Sequence, residues 1–168
     1  HGGPGSNSWA FEASSAHDLV QRGYRVVVYN QRGSCRSPTG QMADYNFDRF
    51  TADLRDLITT LELQSPILIG HSWGGLLSLK YLQRYAGAPL ATGLVMVGTP
   101  IDFRLSYGAD HVFAPGAKLV QIDLDGSIIG QNRHVAEGIV GDTGLVFAAL
   151  ADALPSRAKD RSAWLGRV

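Results

Sequence analysis

Apolar side chains fall along this chain in two alternating rhythms. Over residues 8–22, Trp9, Ala13, Ala16, Leu19 and Val20 recur near a 3.6-residue period, which predicts a helix ended by Gly23. Tyr24-Arg25-Val26-Val27-Val28-Tyr29 follows, a β-branched run of strand length, and then a polar loop over residues 30–40. The helical rhythm returns over residues 46–63. Phe47, Phe50, Leu54, Leu57, Ile58 and Leu61 share one face there, and Asp48, Asp53, Asp56, Arg49 and Arg55 the other. Residues 66–70 predict a short apolar strand, residues 74–86 a helix, and residues 92–98 a strand closed by Thr99-Pro100. Beyond them, residues 118–124 and 137–140 read as strands, 127–132 as a helical turn and 143–154 as a helix. Strands that are apolar almost throughout need cover on both sides. The pattern therefore predicts an α/β fold, a parallel sheet with helices on both faces. Residues 118–124 and 137–140 are expected in the same sheet as 92–97.

Composition narrows the picture. A chain of 168 residues with 45% hydrophobic side chains is long enough for one core and too short for two full enzyme domains. Fifteen basic and fifteen acidic residues cancel, and neither half of the chain leans strongly to one sign, so no nucleic-acid or anionic-membrane surface is expected. The end alone is basic, with Arg157, Lys159, Arg161 and Arg167 against Asp160. One cysteine, Cys35, excludes an internal disulfide and a cysteine-rich zinc site, and fits a cytoplasmic setting. No metal ligand set is expected. The chain opens inside what reads as a loop, His1-Gly2-Gly3-Pro4-Gly5, and the expectation is a fragment.

The sharpest chemistry lies at Gly70-His71-Ser72-Trp73-Gly74, a G-x-S-x-G pattern with a strand before it and a helix after it. A serine on such a turn sits in a strained backbone conformation above the sheet, at a helix N-terminus where developing negative charge is favoured. Its close neighbours must lack side chains, and Gly70, Gly74 and Gly75 do. The glycine-rich opening can aim backbone N–H groups at an oxyanion. The candidate donors are the N–H groups of Gly2, Gly3 and Trp73.

His1-Gly2-Gly3-Pro4-Gly5, then Tyr29-Asn30-Gln31-Arg32-Gly33-Ser34-Cys35-Arg36-Ser37, then Gly70–Gly75, in this order and spacing, resemble the α/β-hydrolase fold over residues 1–99, and within it proline iminopeptidases. In that family the middle motif reads D-Q-R-G-x-G-x-S. Asn30 stands here for the acid and Cys35 for the second glycine, while Gln31, Arg32, Gly33, Arg36 and Ser37 match. The resemblance implies a serine hydrolase acting on a small molecule or short peptide without a cofactor. Strands that such a fold places ahead of His1 are missing from this sequence, including one expected between 24–29 and 67–69.

A serine hydroxyl needs a histidine to take its proton and a carboxylate to orient that histidine. The candidate acids after Ser72 are Asp102, Asp110, Asp123, Asp125 and Asp142, and the histidines are His111 and His134. The order Ser…Asp…His selects Asp125 and His134, which are only nine residues apart, without room for the usual intervening helix and strand. The chain alone is therefore expected to hydrolyse a proline arylamide very slowly or not at all.

Residues 97–152 carry a second resemblance. Gly98–Gly108, Lys118–Asp125, Ile129–Arg133 and Gly138–Asp142 are similar to the central domain of thiamine-diphosphate enzymes of the acetolactate-synthase type, which in some members holds FAD or ADP. The resemblance implies a nucleotide lined by Asp102, Arg104, Asp123 and Asp125. The expected organisation is then a partial hydrolase core over 1–99, a Rossmann-like segment over 100–155 and a basic tail over 156–168, with the families meeting at Val97–Pro100. The competing functions are a serine hydrolase, a nucleotide-binding piece, and a chimeric fragment without activity.

Overall fold

The computed structural model describes residues 1–3, 5–38, 41–85, 91, 93–98, 100–113 and 118–153. Residues 9–21 form helix α1, in which Trp9–Phe11 and His17–Gln21 are α-helical and Glu12–Ala16 is a π-helical turn. Gly23, at φ +82°, ends it with a hydrogen bond from its N–H to the Val20 carbonyl (2.9 Å). Helix α2, Phe47–Thr60, begins at Asn46, whose side-chain oxygen accepts from the Arg49 N–H (2.9 Å) and so satisfies one of the donors a helix start leaves unpaired. Strand β1 (Ile67–His71) leads through Ser72 into helix α3 (Trp73–Arg84), and strand β2 is Gly93–Val97. Strands β3 (Val120–Asp123) and β4 (Glu137–Val140) precede helix α4 (Thr143–Ala153).

The expected apolar face of α2 is the one that is buried. Phe50, Leu54 and Ile58 point inward, and Leu54 and Ile58 meet Leu68 of β1 and Tyr81 of α3 in one cluster, with Tyr29 and Leu94 at its border. Burying side chains of this size contributes about 1.5–3 kcal/mol each, which makes the α2–α3–β1 contact a substantial stabilising unit. The other face of β1 is open, with Ile67 and Ile69 exposed.

Strands β1 and β2 are parallel in the register Ile67↔Gly93 to His71↔Val97. Strands β3 and β4 are also parallel, Val120↔Glu137 to Asp123↔Val140, as the sequence predicts. The expectation of a single sheet is corrected: among the described residues the ladders form two separate pairs. Side chains fill the space between the pairs. Leu105, Val112 and Phe113, from the segment after β2, are buried with Leu79 of α3 and pack against Met96 of β2 and Leu119 beside β3.

A second correction concerns residues 24–29. Their β-branched composition favours an extended backbone, and they lie outside any helix, but they enter no ladder. A ladder needs a neighbouring strand about 4.8 Å away. None of the described residues supplies one, and the segment is held through side chains such as Tyr29 against the α2–α3–β1 cluster. The expected turn over 127–132 is shorter than predicted, a single 3₁₀ turn at Gly126–Ile128. Thr92, Thr99, Leu154 and the basic tail lie outside the described residues.

Candidate active site

Ser72 stands between β1 and α3 with φ +50° and ψ −116°, a conformation that side-chain-bearing residues rarely adopt. Its neighbours hold it there. The Ser72 N–H donates to the Val97 carbonyl at the end of β2 (2.9 Å), and its own carbonyl accepts from the Gly75 N–H (2.9 Å). The glycines of the motif each have a steric reason. A Cβ on Gly70 would lie 2.5 Å from the Gly74 carbonyl oxygen and 2.6 Å from the Gly75 Cα. The sharp turn thus depends on backbone meeting backbone where any side chain would intrude.

The opening loop lies directly on this turn. A Cβ on Gly74 would come within 2.8 Å of the His1 carbonyl oxygen, and one on Gly2 within 3.2 Å of the Ser72 Cβ. Gly2 is therefore packed against the serine, and Gly3 follows it at φ +52°. The Trp73 N–H belongs to the first turn of α3, whose donors the helix itself leaves unpaired. Of the expected oxyanion residues, Gly2 and Trp73 thus lie beside Ser72, and Gly3 is next to Gly2 in the chain. The Trp73 ring stacks on Phe47 with centroids 4.8 Å apart and meets Phe50 edge-on at 6.0 Å, which fixes the first turn of α3 on α2.

Two contributors are hard to see in the sequence. The His71 ring lies between Gly2 and Gly98: a Cβ on Gly2 would stand 2.7 Å from its Nδ1, and one on Gly98 would stand 3.3 Å from its Nε2. Gln31 is 2% exposed and hydrogen-bonds both His1 and Trp73. The D-Q-R-G-like motif points to Gln31, although pattern alone does not say what it touches. Arg32 of the same motif forms a two-pronged pair with Asp53 of α2 (2.9 and 2.5 Å), which raises its already high pKa. This ties the loop after residues 24–29 to α2.

Among the described residues no hydrogen bonds assemble the expected relay. Asp125 accepts from the Ser127 N–H (2.9 Å), and hydrogen bonding from the Ser127 side chain and then its N–H holds its carboxyl below the ordinary range. His134 is exposed, and no hydrogen bond joins it to Asp125 or Ser72. His111 is exposed as well, and its carbonyl accepts from Gln83. Among the described residues no histidine ring is hydrogen-bonded to a carboxylate. Asp110 pairs with Arg133 (3.0 Å), and Asp142 accepts from the Leu145 N–H at the start of α4 (3.0 Å).

The residues proposed to line a nucleotide are engaged locally. Asp102 accepts from the Arg104 N–H (3.0 Å) and from its guanidinium (3.1, 3.1 and 2.5 Å), and that pairing lowers its pKa. Asp123 accepts from the Asp125 N–H (3.0 Å). Among the described residues no three His, Cys, Asp or Glu side chains gather as a metal site would need, and no helix is long and apolar enough to cross a membrane.

Comparison with known proteins identifies the fold family. The alpha/beta hydrolase fold family matches residues 1–130, well over half of the chain. The chain belongs to the α/β-hydrolase fold family. The α/β-hydrolase match continues past Val97–Pro100, where the second resemblance begins, and nothing in the comparisons supports a thiamine-diphosphate enzyme domain. Among its relatives are a non-heme chloroperoxidase of Kitasatospora aureofaciens, 32% identical over 60% of this chain and 35% of that protein, and a non-heme haloperoxidase of Rhodococcus erythropolis, 32% identical over 60% and 35%. Epoxide hydrolase 1 of Caenorhabditis elegans is 34% identical over 46% of this chain and 19% of that protein. The chain thus spans about a third or less of the length of these relatives. Their names do not support the expected proline iminopeptidase. Two of them are named as non-heme enzymes, in keeping with the expectation of no cofactor. No solved structure matches the chain.

Proposed function

We propose that Ser72 is the nucleophile of an acyl hydrolase, attacking the carbonyl carbon of an ester or amide while N–H groups of Gly2 or Gly3 and of Trp73 receive the oxyanion. The observation that carries this reading is the backbone of Ser72, held at φ +50° with Gly2 packed against its Cβ. Such strain is retained where the surroundings enforce it, and it presents the hydroxyl at the helix N-terminus.

Chemistry favours a carbonyl substrate over the epoxide that one relative's name mentions. Attack of a serine hydroxyl on a carbonyl forms an ester bond to Ser72 and expels an alcohol or amine; water then cleaves that ester and frees the serine. Attack on an epoxide would open the ring to an ether, which water does not cleave, and the enzyme would be spent after one event. Aminopeptidase action on an N-terminal proline is one member of the acyl class, and it rests on the motif resemblance alone. An exposed lone Cys35 is compatible with a cytoplasmic setting.

The test is the covalent adduct left by an activated acetyl ester, located by peptide mapping, with an aryl epoxide in parallel. The expected acetyl group is on Ser72 and absent from Ser72→Ala, with no adduct from the epoxide. Acetylation that survives Ser72→Ala, or an epoxide adduct at Ser72, contradicts the reading.

A further inference from the structure

We infer that Gln31 is a positioning residue: it fixes the loop around Gly2 and Gly3 against the elbow, and so sets the spacing of the two groups of N–H donors. The inference rests on the reading of Ser72 as nucleophile and adds to it what holds the oxyanion site in place.

The loop cannot hold itself. Gly2 and Gly3 have no side chains to pack, and glycine has more backbone freedom than any other residue. Gln31 supplies three bonds from one buried position. Its backbone N–H donates to the His1 Nε2 (3.0 Å), its side-chain N–H donates to the His1 carbonyl (3.2 Å), and its side-chain oxygen accepts from the Trp73 indole N–H (3.1 Å). With His1 Nε2 as an acceptor, the ring proton is on Nδ1, which lies 3.2 Å from the Gly2 carbonyl. His1 is thus fixed at its ring and its carbonyl just before the two glycines. Trp73, at the far end of the same amide, carries the other candidate donor and is anchored by Phe47. Only a side chain with both a donor and an acceptor at this reach joins the two. Glutamate keeps the acceptor for Trp73 and sets a carboxylate against the His1 carbonyl, while methionine keeps the length and neither bond.

Placement errors of about 1 Å in a reacting site cost up to about 100-fold in rate. The experiment measures inactivation of the chain by a fluorophosphonate, separating the maximal rate from the half-saturating concentration, in wild type, Gln31→Met and Gln31→Glu. Amide hydrogen exchange at Gly2 and Gly3 and melting temperature are measured alongside. Both variants are expected to lower the maximal rate by about 10- to 100-fold, leave the half-saturating concentration within about twofold, and speed exchange at Gly2 and Gly3. If Gln31→Met does not fold, Gln31→Glu carries the test through its retained bond to Trp73. A folded variant with the wild-type maximal rate overturns the inference, as does loop exchange that ignores Gln31. If wild type is not labelled at Ser72 while loop exchange still depends on Gln31, the nucleophile reading fails and the clamp stands.

Discussion

At the scale of single residues, positive φ marks where this chain is under strain. Ser72 at +50° is the instance at the proposed nucleophile, and Cys35 at +43° is one of several away from it, with Glu62, Ser65, Ser106 and Tyr107. Cys35 is exposed and occupies the place where the motif it resembles has glycine. The left-handed conformation costs a side-chain-bearing residue about 1–2 kcal/mol, and glycine adopts it freely at some cost in unfolded-state entropy. Cys35→Gly is therefore expected to stabilise the chain by roughly 1 kcal/mol, read as a higher denaturation midpoint at unchanged slope. No gain, or a loss, would mean that the loop 31–37 depends on the Cys35 side chain. The elbow was legible because small residues are obligatory there: Gly70 and Gly74 have backbone where a Cβ would go. The role of Gln31 was not, because a buried amide bridging residues 1 and 73 leaves no local periodicity.

Among the elements, α2, α3 and β1 follow from their patterns because one core cluster rewards each apolar face. That cluster carries one flaw. Tyr81 is 1% exposed, and its hydroxyl has no hydrogen-bond partner among the described residues. Burial accordingly pushes its pKa up. Leaving a buried hydroxyl unsatisfied costs about 1–3 kcal/mol, so Tyr81→Phe is expected to raise stability by about 1 kcal/mol in the same denaturation experiment. Destabilisation would show that the hydroxyl has a partner such as a buried water. Residues 24–29 illustrate the limit of reading elements from sequence. Valine at 26, 27 and 28 specifies extended backbone, but pairing depends on a neighbour that no local signal encodes.

For the molecule as a whole, the α/β class was legible from alternation of helix and strand rhythms, and the division into two strand pairs was not. Between the pairs, Leu105, Val112 and Phe113 lie in a segment without periodicity and still occupy the core. That segment starts at Asp102, whose carboxyl the Arg104 guanidinium holds below its ordinary 3.8. A carboxyl depressed by folding stabilises the chain above its ordinary pKa, and the contribution is lost as pH falls through 3.8 and below. Asp102→Asn should therefore flatten acid destabilisation in that window, by less than about 1 kcal/mol because the pair is largely solvent-screened. Equal acid sensitivity of wild type and variant would contradict it.

The central proposal joins these scales: Ser72 is a nucleophile with oxyanion donors beside it, and among the described residues no hydrogen bond links it to a relay through Asp125 and His134. The pH profile of Ser72 labelling by a fluorophosphonate, in wild type and His134→Ala, tests it most directly. With no imidazole acting as base, the hydroxyl reacts as an alkoxide in small supply, and the oxyanion donors still assist. The predicted result is slow labelling confined to Ser72, about tenfold faster per pH unit across the neutral range, identical in both proteins. No labelling of Ser72, or a plateau above the imidazole pKa of about 6.5 that disappears in His134→Ala, would contradict the account.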